Sequence, residues 1–412
     1  MTQEQSPAPA IITVGNSYTF RLMFNETPIV IQAPGIEELS ITSSLHEYLP
    51  RLKMKLRSGD GTLAHFIPFD DASTVQFSFA PGSGMTGEWK NYVFDIYRRL
   101  PQGDNMYEVE GLLQVPNLFG PNKCRGTVMG PKVLLDTIAQ ELDCTETDIS
   151  LCLDYKKNLV QPYVPNAIFL RHLRQSIQGE AGEAYFYCFI DTVLNKKKFY
   201  FKTVLDFLRN DVKYKFLLGQ SQTIPIGKGE VLTDYFFPGW SYYIDESYKL
   251  LGLSGALEKQ YLYFNQALGT FVSNTVDLSN YVSLTPAYFY KPGDQQRTYN
   301  TLIPGRSNDY SGDFAGDALS LLYENMTNQS KISFLTIGLK DIVPGDLIEI
   351  QFAPQELYKT IDPDVSSQYA GTWMVETIVH GFGDMYYNKI TATRSGVDAY
   401  QTSLAVPEVR KR

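Results

Sequence analysis

The sequence is poor in the residues that metal and redox sites use most. It has four cysteines and four histidines among 412 residues. The cysteines are Cys124, Cys144, Cys152 and Cys188. The histidines are His46, His65, His172 and His380. No Cys-x-x-Cys pair and no His-Glu-x-x-His motif occurs, which excludes a zinc ribbon, a dithiol redox motif and the common metalloprotease pattern. We therefore predict no metal and no cofactor, and the scattered cysteines suit a reducing cytosol.

Long apolar runs and excess positive charge are also lacking. No apolar run approaches the length that spans a bilayer, and residues 1–10 are polar with two prolines, unlike a secretory signal. We therefore expect no membrane span, and synthesis and folding in cytoplasm. The formal net charge of -9 argues against a nucleic-acid binder, which needs clustered lysine and arginine to neutralise phosphates. The small basic clusters at 51–57 and 196–198 are typical of a solvated strand face and a hairpin tip.

Aromatic residues are abundant, with 28 Tyr and 24 Phe making most of a 13% share. Aromatic side chains favour sheets and supply contact area at interfaces, so this composition indicates a sheet protein that assembles. Hydrophobic residues at 43% and charged residues at 20% are typical of a folded globular chain. The length predicts roughly two to four domains.

The clearest pattern lies towards the C-terminal end. A turn at Pro344-Gly345-Asp346 leads into an alternating run at 347–352, and further runs follow at 371–380 and 386–394. In the second run one face holds Trp373, Val375, Thr377 and Val379. The other face holds Met374, Glu376, Ile378 and His380. This period of two predicts strands, and the short connection after 380 favours an antiparallel sheet.

The rest of the chain divides by pattern into further regions. Alternating runs in 10–118 predict a first β-domain of roughly five to seven strands. Residues 119–210 predict a helix-containing α+β domain, with one helix at 131–143 and another running from an N-cap at Asn166 to Gly179. Residues 211–330 form a central region of the second β-domain, 331–400 its closing sheet, and 401–412 a tail. Helices are also predicted at 246–268 and 315–327. The fold class is α+β, mainly β, with two antiparallel barrel or sheet domains and a helix-containing α/β insertion.

Two short motifs suggest chemistry that their context does not support. Residues 82–87 match the dinucleotide fingerprint Gly-x-Gly-x-x-Gly, but Trp89 and a β-rich run follow where a helix N-terminus is required, so a mobile surface loop is favoured. The acidic residues after Asp309 resemble a calcium loop, but the sixth and twelfth positions are Phe314 and Ser320 instead of glycine and glutamate. We nominate no catalytic, cofactor or metal residue, and His380 is favoured as a core or interface residue.

Several segments resemble the baseplate or tail hub proteins of bacteriophages and of related contractile injection machines. The likeness is carried by residues 166–173, 343–350, 369–380 and 386–394. In such hubs a Pro-Gly-Asp turn precedes a strand, and a glycine and an aromatic residue precede a strand that ends in histidine. The resemblance assigns structural or interface roles to Pro344, Gly345, Asp346, Gly371, Trp373, His380 and Tyr386. Trp89 joins them as a candidate because Gly-x-Trp occurs both at 87–89 and at 371–373.

The resemblance implies a structural virion protein that catalyses no reaction. It implies a homotrimer in which each chain donates two tube-like β-domains to a pseudo-sixfold ring. Such a ring is a symmetry adaptor that joins the sixfold tail tube to a threefold central spike, which here is a separate protein, with tape measure and baseplate wedge proteins as further partners. The resemblance also implies that genome DNA passes through the lumen during ejection without specific binding. The implied location is the virion tail tip or baseplate, assembled in the host cytoplasm.

Two alternatives stay open from the sequence. Trp89 and Trp240 could stack on sugars in a receptor-binding or carbohydrate-binding tail module. A cell-wall hydrolase would use paired carboxylates, for which no pair stands out. The hub interpretation makes a geometric prediction of its own, namely that the two β-domains superimpose and lie side by side around the ring.

Overall fold

The fold is given by a computed structural model that describes residues 12–14, 18–25, 27–28, 35–57, 73–81, 89–102, 105–127, 130–152, 159–177, 179, 186–218, 236–246, 258–265, 269–277, 299–303, 330–352 and 369–394. The strands of the first half are β1 (Ile12–Val14), β2 (Tyr18–Phe24), β3 (Thr27–Pro28), β4 (Ile36–Ser44), β5 (Arg51–Arg57), β6 (Thr74–Pro81), β7 (Lys90–Gln102), β8 (Met106–Leu113), β9 (Lys123–Thr127), β10 (Glu146–Ile149), β11 (Leu159–Val164), β12 (Phe186–Val193) and β13 (Lys196–Thr203). Those of the second half are β14 (Val212–Leu218), β15 (Phe236–Glu246), β16 (Glu258–Asn265), β17 (Thr270–Asp277), β18 (Tyr299–Ile303), β19 (Ser330–Ile337), β20 (Leu347–Phe352), β21 (Gly371–Phe382) and β22 (Tyr386–Arg394). The helices are α1 (Pro131–Glu141), α2 (Asn166–Ser176) and α3 (Val204–Leu208).

Most of the described chain is β, which confirms the predicted mainly-β α+β class. A 14-stranded sheet forms its centre, and within it we distinguish two units. The first, called the N-terminal sheet, has the strand order β2-β6-β7-β8-β5-β4, all antiparallel. In β5, Leu52, Met54 and Leu56 are buried while Arg51 and Arg57 are exposed, so the predicted alternation of this basic run is confirmed.

The second unit, called the closed barrel, consists of β20, β14, β15, β19, β22 and β21, and the pairing of β21 with β22 closes it. Two of its pairings, β14 with β15 and β14 with β20, are parallel, whereas the sequence predicted an antiparallel arrangement. Residues 219–235 join β14 to β15, and this segment is long enough for the crossover that a parallel pair requires. The alternation of apolar and polar residues predicts which face of a strand a side chain occupies, but it does not predict the direction of the neighbouring strand.

The two units share one strand order. When the six strands of each are numbered along the chain, neighbours run first, fourth, fifth, sixth, third, second in both. The second to sixth strands also have matching directions. The first strand differs, since β2 runs antiparallel to β6 whereas β14 runs parallel to β20. A repeated topology of this kind agrees with the predicted likeness of the two β-domains. Their placement around a ring stays a prediction.

The α+β region between the two units carries its own small sheets, β10-β13-β12 and β11-β9. Pro131 begins α1, as predicted, because a first-turn proline loses no helical hydrogen bond. The buried face of α1 is formed by Leu134, Leu135, Ile138 and Ala139. This face packs into a core that continues through the N-terminal sheet.

The predicted N-cap of α2 is wrong. Pro165 occupies the cap position and Asn166 is the first helical residue. The Asn166 amide donates instead to the Asn117 carbonyl at 3.1 Å, which ties α2 to the segment leaving the N-terminal sheet. The helix also ends at Ser176, before the predicted Gly179.

The helix predicted at 246–268 is wrong as well, because β15 extends to Glu246 and β16 occupies Glu258–Asn265. Tyr261 and Tyr263 recur with a period of two, and aromatic residues favour the strand. The helix predicted at 315–327, the acidic loop after Asp309 and the glycine loop at 82–87 lie outside the described residues. The segment that follows this glycine loop is β7, a strand and not the helix that a dinucleotide fingerprint requires.

The packing of α1 gives a direct stability test. Ile138 is fully buried, whereas Val133 on the same helix is 54% exposed. We expect Ile138→Ala to lower the free energy of unfolding by about 2–5 kcal/mol, because the lost methyl groups leave a cavity. The matched control Val133→Ala should change it by less than about 0.5 kcal/mol. Urea unfolding followed by circular dichroism measures both, and equal losses would contradict the assigned faces.

Candidate functional site at the junction of the two units

One strand, β21, belongs to both units. Its first residues pair with β20, with Gly371 opposite Ile350. Its last residues pair with β4 of the N-terminal sheet, from Thr377 opposite Ser44 to Phe382 opposite Leu39. On its other side β21 pairs with β22 along most of its length. The predicted antiparallel set of three strands at 347–394 is therefore confirmed, and it also carries the connection between the two units.

A β-bulge in β21 changes which way its side chains face. The register against β22 shifts between Val375 and Thr377, across Glu376. As a result Trp373, Val375 and Ile378 all lie in the barrel core, although strict alternation assigned Ile378 to the opposite face. The predicted faces are therefore wrong beyond the bulge. Farther along the strand, Phe382 lies in the core of the N-terminal sheet.

Glu376 holds the bulge in place through both its backbone and its side chain. Its carbonyl accepts the Leu45 N–H at 2.9 Å. Its carboxylate Oε1 lies 2.7 Å from both His46 Nε2 and Lys331 Nζ. Burial opposes ionisation, but hydrogen bonds from His46 and Lys331 and the charge of Lys331 hold the pKa of Glu376 below its ordinary value. The sequence carried no signal for this contact, because its three residues are far apart in the chain.

The Pro344-Gly345-Asp346 turn is hydrogen-bonded to β21. The Gly345 N–H donates to the Val375 carbonyl at 2.8 Å, and the Val375 N–H donates to the Asp346 carbonyl at 2.9 Å. Gly345 has a φ of +87°, and a Cβ there would lie 2.2 Å from Phe207 Cε1, so the turn requires glycine. Pro344 is buried within the turn.

The Asp346 carboxylate closes this turn. It accepts the Val343 N–H at 2.9 Å and lies 2.8 Å from Lys213 Nζ on β14. Burial raises the pKa of Asp346, and the charge of Lys213 limits that rise. Both contacts shape the turn and fasten it to the barrel, so the chemistry of Asp346 is structural.

His380 and Tyr386 form the opposite end of the site. The Tyr386 hydroxyl lies 2.8 Å from His380 Nδ1, and both residues are buried. Burial is the main cause that holds the pKa of His380 well below its ordinary value, and the charge of Lys90 lowers it further. Burial raises the pKa of Tyr386. His380 is therefore neutral near pH 7. The Tyr386 ring also packs 5.2 Å from Phe79, which joins β22 to the N-terminal sheet.

The two Gly-x-Trp segments occupy different places. Trp373 is 1% exposed, donates its indole N–H to the Tyr369 carbonyl at 3.0 Å and lies under the Arg394 guanidinium at 4.2 Å. Gly371 begins its strand with a φ of +114°. Trp89 instead precedes β7, and the Arg21 guanidinium covers its ring at 4.1 Å. The Arg21 guanidinium therefore takes the place of a stacked sugar on that face of the ring.

The equivalence between the units lies in their backbones. The register of β7 against β8 shifts across Tyr97, just as that of β21 against β22 shifts across Glu376. In each unit the residue before the bulge donates its N–H to the residue before the fourth strand. These bonds are Ile96 N–H to the Ser73 carbonyl at 3.0 Å and Val375 N–H to the Asp346 carbonyl at 2.9 Å. This match aligns Trp373 with Phe94, so the repeated Gly-x-Trp letters are not the structural repeat.

The candidate residues thus form two groups along β21. Pro344, Gly345, Asp346, Gly371 and Trp373 lie at the barrel end, His380 and Tyr386 lie where β21 meets the N-terminal sheet, and Trp89 belongs to neither group. Within the described residues no cluster of three or more His, Cys, Asp or Glu side chains could hold a metal ion. In the same part of the chain no helix is long and apolar enough to cross a bilayer.

The Glu376 contact predicts a pH-dependent stability. We expect Glu376→Gln to lower the free energy of unfolding at pH 7 by about 1–3 kcal/mol, because a buried charged hydrogen bond is lost. The pKa of the folded state lies below the unfolded value, so this contribution is present above the unfolded pKa and disappears as the pH falls through the folded pKa. Urea unfolding of both proteins between pH 7 and pH 3 measures the difference.

A matched control is Glu146→Gln, which removes the ion pair of Glu146 with Lys196 at 3.0 Å. Both side chains of that pair are more than one third exposed, so its loss should cost less than about 0.5 kcal/mol. Equal effects of the two substitutions, or a Glu376→Gln effect that persists unchanged at pH 3, would contradict the structural role of Glu376.

Comparison with known proteins identifies solved structures that have a similar architecture. No protein-family model and no curated protein matches the chain. Among solved structures, a tail protein from Neisseria meningitidis matches with a TM-score of 0.52 at 10% identity, covering 93% of this chain and 98% of that chain. A prophage tail protein from Shewanella oneidensis matches with a TM-score of 0.56 at 10% identity, covering 92% of this chain and 99% of that chain. A chain of the Francisella PdpA-VgrG complex matches with a TM-score of 0.51 at 9% identity, covering 94% of this chain and 59% of that chain. The chain therefore shares its fold with these tail proteins and with this chain of the PdpA-VgrG complex, which confirms, at the level of the fold, the resemblance drawn from the sequence.

Proposed function

We propose that the protein is a structural hub subunit of a phage tail or baseplate. Three copies form a pseudo-sixfold ring that joins a sixfold tail tube to a threefold central spike. The observation that carries this proposal is the repeated six-strand topology within one chain. Two like units per chain turn a threefold assembly into one with six similar positions, and that is the geometry that a symmetry adaptor requires.

The junction between the units supports a rigid subunit. Beyond the β21–β4 pairing, the buried Lys90 of the N-terminal sheet donates from Nζ to the Lys340 carbonyl beside the barrel at 3.0 Å. The Tyr18 hydroxyl donates to the Gly383 carbonyl at 2.9 Å. These contacts hold the two units at one angle in each chain, and a closed symmetric ring requires the same geometry in every chain.

The ionisable groups of the junction have structural contacts. Burial lowers the pKa of His380 and raises that of Tyr386 and Asp346. Each of these groups takes part in packing or in closing a turn, as described above. A catalytic acid or base instead needs access to a substrate, so these shifted groups give an enzyme no support. In the part of the chain that the structure describes, no specific contact favours the alternatives of a sugar-binding module and a cell-wall hydrolase.

The partners follow from the ring. We infer a tail tube protein on one face, a spike on the other, and tape measure and baseplate wedge proteins nearby, at the tip of a virion tail assembled in the host cytoplasm. The net charge of -9 suits a lumen through which DNA slides during ejection, because like charges discourage sticking. Tight binding of DNA by the isolated ring would contradict this part of the proposal.

The assembly state tests the proposal directly. Native mass spectrometry of the purified full-length chain should give a species of three times the 46.6 kDa chain mass. Sedimentation over a range of concentrations should show the same trimer. A strict monomer at the highest concentration, together with no binding to tail tube or spike protein, would contradict the hub function.

A further inference from the structure

We infer that the surface around the start of α2 binds a segment of a partner protein that combines carboxylates with large apolar side chains. This surface, called the α2 patch, consists of Phe119, Tyr163, Ile168, Arg171 and His172. It belongs to the α+β region and lies outside the junction of the two units. The inference does not depend on the hub function.

The α2 patch exposes large apolar side chains to solvent. Tyr163 is 70% exposed, Phe119 is 59% exposed and Ile168 is 46% exposed. Single exposed apolar residues are ordinary on a folded protein, whereas a contiguous group of them marks a binding surface. The positions of these three residues therefore decide whether they act together.

Backbone contacts bring the three apolar side chains together. The Ala167 N–H donates to the Leu118 carbonyl at 2.9 Å, which places Phe119 beside the first turn of α2. Tyr163 is next to the last residue of β11, and β11 leads through a single residue into α2, so Tyr163 lies at the same end of the helix as Ile168. The three residues therefore form one apolar surface at the start of α2.

Basic side chains continue this surface along α2. Arg171 and His172 follow Ile168 by three and four residues, a spacing that places side chains on one face of a helix. All three residues are exposed, so this is the outer face of α2. A bound segment that covers Ile168 therefore reaches Arg171 with its neighbouring side chains.

The turn that carries Tyr163 is held in one conformation. Tyr163 has a φ of +49°, which a bulky residue rarely adopts, and the register of β11 against β9 shifts around it. The buried Gln161 side chain donates from Nε2 to the Val164 carbonyl at 2.7 Å, across this residue. Because the backbone is fixed before binding, ordering this turn costs a complex little affinity.

Charge decides which kind of segment fits. The whole chain has a net charge of -9, yet residues 111–135 and 155–179, which contain the α2 patch, hold seven Lys and Arg and no Asp or Glu. Glu141 of α1 reaches into the same region, but Lys123 and Arg125 bind its carboxylate at 2.7 and 2.8 Å. A carboxylate that approaches Arg171 is therefore attracted locally, on a protein whose overall charge repels anions.

Two other occupants fit the α2 patch less well. A nucleic acid needs rows of Lys and Arg for its phosphates or ring faces for its bases, and the aliphatic Ile168 in the middle of the patch offers neither. A second copy bound through the same patch would bring Arg171 against its own counterpart, and like charges oppose such a contact.

Selection from a random peptide library tests the inference. The displayed library of short peptides is selected against the immobilised full-length protein. We expect enriched peptides to combine Asp or Glu with Leu, Phe or Trp. Each enriched peptide is then synthesised with a fluorescent label, and its affinity is measured by anisotropy. Replacement of its carboxylates by amides should weaken binding by about tenfold.

Substitutions in the protein assign the binding site. Ile168→Asp and Arg171→Glu should each weaken binding of the enriched peptide by about tenfold or more, because both remove a contact and repel carboxylates. The matched controls are Val133→Asp, a similarly exposed apolar residue on α1, and Arg209→Glu, an exposed arginine after α3. Neither control should change the affinity, and circular dichroism checks that every variant is folded.

Tyr163→Asn is a further variant for the case that a charge substitution disturbs the fold. It removes the ring and keeps a residue type that tolerates a positive φ. We expect it to weaken binding of the same peptide by about tenfold, again by anisotropy. Unchanged affinity in this variant, with the ring gone, would count against the α2 patch as the site.

The remaining outcomes distinguish the other occupants. No enriched peptide, or enriched peptides that bind the Ile168→Asp protein as well as the unsubstituted one, overturn the inference. Binding of a fluorescent single-stranded oligonucleotide that is lost in Arg171→Glu would assign the α2 patch to nucleic acid and overturn it too. A lower oligomer mass of Ile168→Asp by native mass spectrometry would assign the patch to a second copy, again against the inference. A trimer that binds no such peptide leaves the hub function standing.

Discussion

The backbone pairing of β21 with β4 is the interaction on which the rest of the structure depends. It joins the two six-strand units into one sheet, which has 14 strands because β1 and β3 also pair with β2. Without it, β4 and the end of β21 would both present open edges, which are templates for wrong pairing. With it, one hydrogen-bonded sheet runs through both units. A ring built from three such chains needs only one further kind of junction.

The bulge at Glu376 is what allows one strand to serve two cores. It places Trp373, Val375 and Ile378 in the barrel core, and Phe382 farther along packs 4.8 Å from Phe79 in the other core. A strand without the bulge would turn Ile378 away from the barrel. The cost of burying the Glu376 carboxylate is offset by two hydrogen bonds at 2.7 Å from His46 and Lys331, which come from the two sides of the junction.

Sequence patterns predicted what depends on local periodicity. The runs that became β20, β21 and β22, the proline-led α1 and the turn at Gly345 all follow from period, propensity or the special φ of glycine. Features set by distant contacts were out of reach. The Glu376 contacts involve residues 46 and 331, and the parallel pairing of β14 with β20 joins residues far apart in the chain. The Asn166 side-chain amide donates a hydrogen bond to the Asn117 carbonyl and does not cap the helix. The structural repeat is visible in the strand order and in the position of the bulge. The repeated sequence motif Gly-x-Trp does not mark equivalent positions in the two units.

The central claim is that the two units of each chain occupy equivalent positions around one ring. An image of the assembled tail tip by electron cryomicroscopy, at a resolution that separates strands, tests it most directly. The account predicts three chains whose six units are related by successive rotations of about 60° about the tail axis. Units of one chain that lie at different radii or heights along the axis, with no such rotation between them, would contradict it.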